Sequence, residues 1–72
     1  VIEIGKIGII ESGDDSGFQV KVIDDSENTG GFFILTGRNI SNQSLEVFDS
    51  WVANKEELAG YFRESSWVIK WL

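Results

Sequence analysis

The chain has 72 residues, a formal net charge of −6, and neither Cys nor His. That length allows one domain, residues 1–72, near the lower limit at which a hydrophobic core folds unaided. The missing residue types exclude disulfide or zinc bracing, and with them Ser-His, Cys-His and zinc-hydrolase catalysis, so no enzyme activity, cofactor or metal is expected.

Stability must then come from packing, for which five Phe and three Trp supply the bulk. No apolar run approaches the roughly 18 residues of a membrane span, and no signal-like segment stands out. Val1 is not an initiator Met, which fits a trimmed start. Without Cys there is no redox argument for a compartment; the reading is cytoplasmic, with export left open. The acidity has a bland reading, solubility, and a sharper one, a basic partner. Direct nucleic-acid binding is disfavoured, because it relies on clustered Lys and Arg that this chain lacks.

In chain order, Val1 to Glu11 (VIEIGKIGIIE) reads as an Ile-rich strand, interrupted at Gly5 and Gly8 by a bulge or a break. Ser12 to Gly17 (SGDDSG) is a polar turn, which makes strands one and two antiparallel neighbours. Phe18, Val20 and Val22 alternate with Gln19, Lys21 and Ile23, the period of a half-buried strand. Asp24 to Gly31 supplies turn chemistry, and Phe32 to Thr36 (FFILT) returns as a third strand, closing a β-hairpin.

The polar segment GRNISNQS is a loop, and Leu45 to Trp51 (LEVFDSW) reads as a fourth strand hairpinned onto the third. The competing reading begins the helix early, at Asp49 or Ser50. Otherwise the single helix runs from about Lys55 to Glu64, with Asn54 as N-cap and Glu57 reaching back in a capping box. Leu58, Tyr61 and Phe62 form its apolar stripe, while Glu56, Gly60 and Arg63 look outward. Ser65 and Ser66 end it, and Trp67 to Leu72 (WVIKWL) is a last strand with Lys70 on its wet side and Trp67, Ile69 and Trp71 inward. The fold class is α+β: an antiparallel four- to five-stranded sheet with one helix packed on one face, in the order β-β-β-β-α-β.

Strand directions place functional candidates. With strand one running up, the Asp24–Gly31 turn and the helix start both lie at the bottom. Asp24, Asp25, Glu27, Asp49, Glu56 and Glu57 are thereby drawn to one end, opposed locally only by Lys55. A nearby aromatic such as Trp51 would anchor a partner there, although Trp51, Trp67 and Trp71 also read as core. One helix covers one sheet face only, and the candidates for the uncovered face are Ile23, Phe32, Ile34 and Val68, a possible oligomer surface.

Two chemical readings are weaker. Asp24, Ser26, Asn28 and Gly30 alternate like the start of a calcium loop, but Thr29 stands where that loop needs Gly and the closing Glu is missing, so turn chemistry is preferred. Paired carboxylates can serve a glycosidase, yet a domain this small has little room for a sugar cleft.

The segments VIDDSENTGGFFIL, FDSWVANKEELAGYF and WVIKWL resemble the small, acidic immunity proteins of bacterial toxin–immunity pairs. The resemblance implies a protein that binds and neutralises a toxin, often a nuclease, made by the same cell; it assigns no role to any individual residue. Two functions are therefore carried forward. The first is an immunity-type inhibitor presenting its bottom-end carboxylates to the basic cleft of a toxin, without direct nucleic-acid or membrane binding. The alternative is a structural domain that homodimerises through its uncovered sheet face or an edge strand.

Overall fold

The computed structural model describes residues 2–42 and 44–72. Five antiparallel strands, β1 (Ile7–Ile10), β2 (Gln19–Asp25), β3 (Gly31–Gly37), β4 (Val47–Val52) and β5 (Ile69–Trp71), and one helix, α1 (Lys55–Ser65), follow each other as β-β-β-β-α-β. The spatial order is β4-β3-β2-β1-β5. Consecutive strands are hairpin neighbours from β1 to β4, and α1 then carries the chain across one face from the β4 edge to the β5 edge.

The alternation in β2 fixes which side is covered. Val20 and Val22 are fully buried, and the register sets Val22 beside Ile34 and Asp24 beside Phe32. Ile10 from β1, Val52 from β4 and Leu58 from α1 complete the buried core. Tyr61 and Phe62 extend the helix stripe onto the last strand: Phe62 stacks on Trp71 at 6.3 Å and meets Trp67 edge-on at 5.3 Å. Tyr61 also ties α1 to the opposite edge through its hydroxyl, 3.2 Å from Ser50 Oγ. Trp67, Ile69 and Trp71 thus pack inward, as the alternation around Lys70 predicts.

Local rules set the helix ends. Asn54 Oδ1 accepts the Glu57 N–H at 2.8 Å. The Glu57 carboxylate reaches one residue further back than a capping box requires, accepting the Ala53 N–H at 2.9 Å. Ser66 closes the other end in the left-handed conformation, φ 55°, with its N–H on Arg63 O.

Several expectations are corrected. The first strand is only Ile7–Ile10, because the chain turns at Ile4 and Gly5; Val1 lies outside the described residues. Gly8 does not interrupt it. Trp71 crosses so closely that an added Cβ would lie 2.9 Å from its ring, so the strand needs glycine there. The hairpin strands reach Asp25 and restart at Gly31, which moves both aspartates from the turn into the end of β2. β4 is a strand through Val52, which removes the early-helix alternative. Phe32 and Ile34 are buried beneath α1 and line no open face.

Candidate functional site

The β2–β3 turn and the start of α1 meet at one end of the sheet, as strand direction requires. Asp24 and Asp25 leave β2 on opposite faces. Asp24 shares the helix side with Val22, while Asp25 shares the uncovered side with Ile23. Their carboxylates are engaged by the turn itself. Asp24 Oδ1 accepts the Ser26 N–H at 2.9 Å, and Asp25 Oδ1 accepts Asn28 Nδ2 at 3.2 Å. Asp25 O further accepts the N–H groups of Asn28 and Thr29. The Ser26 hydroxyl, then its N–H, and the Lys55 charge hold the Asp24 carboxyl below its ordinary value. Glu57 is spent on the cap. These acids are turn and cap formers before anything else.

Glu27 and Glu56 are different. Both are exposed, and neither side chain makes a hydrogen bond or ion pair among the described residues; the only such ion pair is Lys6–Glu3. They are the carboxylates this end offers to solvent. Asp49, in contrast, does not join them. It pairs with Leu35 on the uncovered face, three residues before the end of β4, about 10 Å along a strand. The bottom-end cluster is therefore smaller than strand direction alone implied.

Trp51 is the residue that changes the site. The register pairs it with Phe33 on the uncovered face, and it remains 47% exposed. Its indole N–H donates to Thr29 Oγ1 at 2.8 Å, and Thr29 Oγ1 in turn accepts the Gly31 N–H and contacts Asp25 O. The ring lies over Gly31, where an added Cβ would come within 2.7 Å of it. A large aromatic is thereby pinned to the acidic turn. Nothing in the sequence spacing marks this link, because it joins residues 22 positions apart.

No protein-family model matches the chain, and neither a curated protein nor a solved structure is significantly similar to it. The site must be argued from its own geometry.

The chemistry open to it is limited. Among the described residues no three Asp or Glu side chains converge in a way that could hold a metal ion. No helix is long and apolar enough to cross a membrane. Of the four residues expected on the uncovered face, Ile23 lies there and is exposed. Val68 is also exposed but precedes β5, where its N–H is held by Ser12 Oγ at the top of the sheet. The alternation missed the actual occupants: Ile7, Ile9, Phe33, Leu35, Val47 and Trp51 share that face with Ile23, Lys21 and Asp49.

Proposed function

We propose that this domain is an acidic protein-binding module of the immunity type, which binds and neutralises a basic, nuclease-like toxin without catalysis of its own. The observation that carries the reading is Trp51: exposed, yet fixed by the Thr29 hydrogen bond to the turn that bears Glu27. A partner that buries this ring pays little side-chain ordering, since the turn has already immobilised it. Large aromatics in that position are the residues that carry most of an interface's binding energy. Glu27, Glu56 and the net charge of −6 supply the attraction, which acts on the association rate more than on the final affinity. A toxin that holds phosphate needs cations in its cleft, and the same cations accept carboxylates.

The internal use of Asp24, Asp25 and Glu57 decides which variants can test this. Reversing those charges disturbs the turn or the cap, so the informative pair is Glu27→Lys with Glu56→Lys. The measurement is surface plasmon resonance against any basic, nuclease-like protein found encoded beside this gene. Expected are a 1:1 complex that weakens with salt, a slower association for the double variant, and a faster dissociation for Trp51→Ala. Unaltered kinetics in the folded variants, or the lack of any basic protein at that locus, would remove the reading.

A further inference from the structure

The uncovered face of the sheet carries a charge pattern that is complementary to itself. Three registered rows define it. Asp49, Leu35, Lys21 and Ile7 lie side by side across β4, β3, β2 and β1; toward the acidic end, Trp51, Phe33 and Ile23 form the next row; toward the other end, Val47, Gly37, Gln19, Ile9 and, at the β5 edge beyond the overlap proposed below, Lys70 form a third. Lys21 and Asp49 are thus two strands apart, about 10 Å, with Leu35 between them and no ion pair joining them among the described residues.

We propose that this face is the interface of a symmetric homodimer whose two-fold axis runs along β3. Face-to-face packing about that axis sets β4 of each copy over β2 of the other. Asp49 then meets Lys21 of the second copy, and Lys21 meets its Asp49. Trp51 meets Ile23 of the second copy, and the Phe33 and Leu35 pairs lie on the axis. An axis along β2 would instead stack Lys21 on Lys21, and one between β2 and β3 would face Asp49 with Ile7; only the β3 axis pairs every charge in the central row. Two sheets joined in this way pack about 10 Å apart; an axis along β3 leaves the two β3 strands parallel, so the rows stay in register near the axis and diverge with the sheet twist away from it. The contact is isologous, so it closes at two copies.

Its size sets its strength. The overlap covers three strands, about 14 Å by 20 Å from strand spacing and rise, which falls in the small, transient class of interfaces. Association is accordingly expected to be weak and to need high protein concentration. The net charge of −6 opposes it at low ionic strength, so the measurement belongs near 0.15 M salt, where the screening length is about 8 Å. Because the dimer covers Trp51, a second copy and a basic partner exclude one another; the inference itself stands on the isolated chain and does not need that partner.

The test is sedimentation equilibrium up to about 1 mM, the weak end of the affinity scale. The wild-type mass is expected to rise from 8.1 kDa toward twice that value. Lys21→Glu alone and Asp49→Lys alone each place like charges across the axis, and each is expected to lower the association constant at least about 10-fold, the effect of a charge pair turned repulsive. The double exchange restores both pairs. So does an equimolar mixture of the two single variants, which associates as a heterodimer although neither does so alone. Glu27→Lys leaves the dimer intact, which separates this result from the test of partner binding. A wild-type mass that stays monomeric, or a mixture no more associated than its components, would overturn the proposal; circular dichroism confirms folding, and the wild-type result stands by itself if a variant fails to fold.

Discussion

The two faces of the sheet use the same device and put it to different ends. On the covered face Trp71 lies over Gly8; on the open face Trp51 lies over Gly31. In both places a glycine removes the side chain that would hold the indole away, and a large ring fills the gap. Trp71 is then stacked by Phe62 and roofed by the helix, so its contacts are those of a core. Trp51 receives no second layer. It keeps nearly half its surface in water and is steadied by one hydrogen bond to a turn. Packing explains the first tryptophan completely. It explains only the underside of the second, and the remainder is what makes the open face a site for association.

The sharpest way to break this comparison is at two adjacent residues of β3. Ile34 points under the helix and is 1% exposed, whereas Leu35 points to the open face. Ile34→Ala is expected to lower unfolding free energy by about 2–5 kcal/mol, from lost transfer energy and a cavity. Leu35→Ala is expected to cost less than about 1 kcal/mol, within the usual range for surface positions. Urea unfolding of the two monomeric variants reads the difference directly, and equal costs would mean that the open face is not open.

The glycines give a smaller effect. Gly31→Ala drives its new methyl against the Val52 backbone carbonyl as well as the indole, and a backbone atom has no rotamer to escape into. Gly8→Ala meets side chains only, Ile69 and Trp71. Both should destabilise by about 1–3 kcal/mol, as overpacking does, with Gly31 at the upper end. Thermal unfolding of the two single variants, monitored by tryptophan fluorescence, compares their losses of stability.

Gly60 was expected to look outward, but it is buried beneath side chains of its own helix, and there the sign is opposite. The space above Gly60 holds only the Arg63 and Glu64 side chains of the same helix, at ordinary contact distance, and nothing there requires glycine. Gly60→Ala should therefore stabilise by about 1 kcal/mol, the intrinsic helix preference. A loss of stability in the same urea assay would show a neighbour that this arrangement lacks.

The acid limb of the stability profile should carry the faintest mark, that of Asp24. Its carboxyl is held below the ordinary value by Ser26 and Lys55, so the ionised form favours the fold. That contribution is present above the unfolded-state pKa and disappears as pH falls through the lower, folded-state value. Asp24→Asn should flatten the loss of stability in acid and leave the neutral-to-alkaline limb parallel to wild type. A variant with an unchanged acid slope would show that the turn does not favour the ionised carboxyl.

Much of the fold was legible because its signals are local. Val20 and Val22 announce a strand by period, Asn54 and Glu57 announce a helix start by spacing, and Lys70 between Ile69 and Trp71 tells the wet side from the dry. What failed had a common cause. Phe32 and Phe33 must oppose one another, but which of them meets the helix depends on register with β2, and Asp24 beside Phe32 fixes it. Ile34 was expected on the open face for the same reason. Asp49 was expected near the turn because strand direction gives an end but not a height.

The site was less legible than the fold. A run of acids reads the same whether its carboxylates face solvent or close a turn, and only Asp24 with Ser26, Asp25 with Asn28 and Glu57 with Ala53 show the latter. By itself the sequence determined the elements, their order and the direction of each strand, since these follow from periodicity, turns and caps within a few residues of one another. The tertiary structure decided the strand order, the face each aromatic occupies and the link from Trp51 to Thr29. These rest on pairings between distant segments, where one residue of register exchanges the inside of a sheet for its outside.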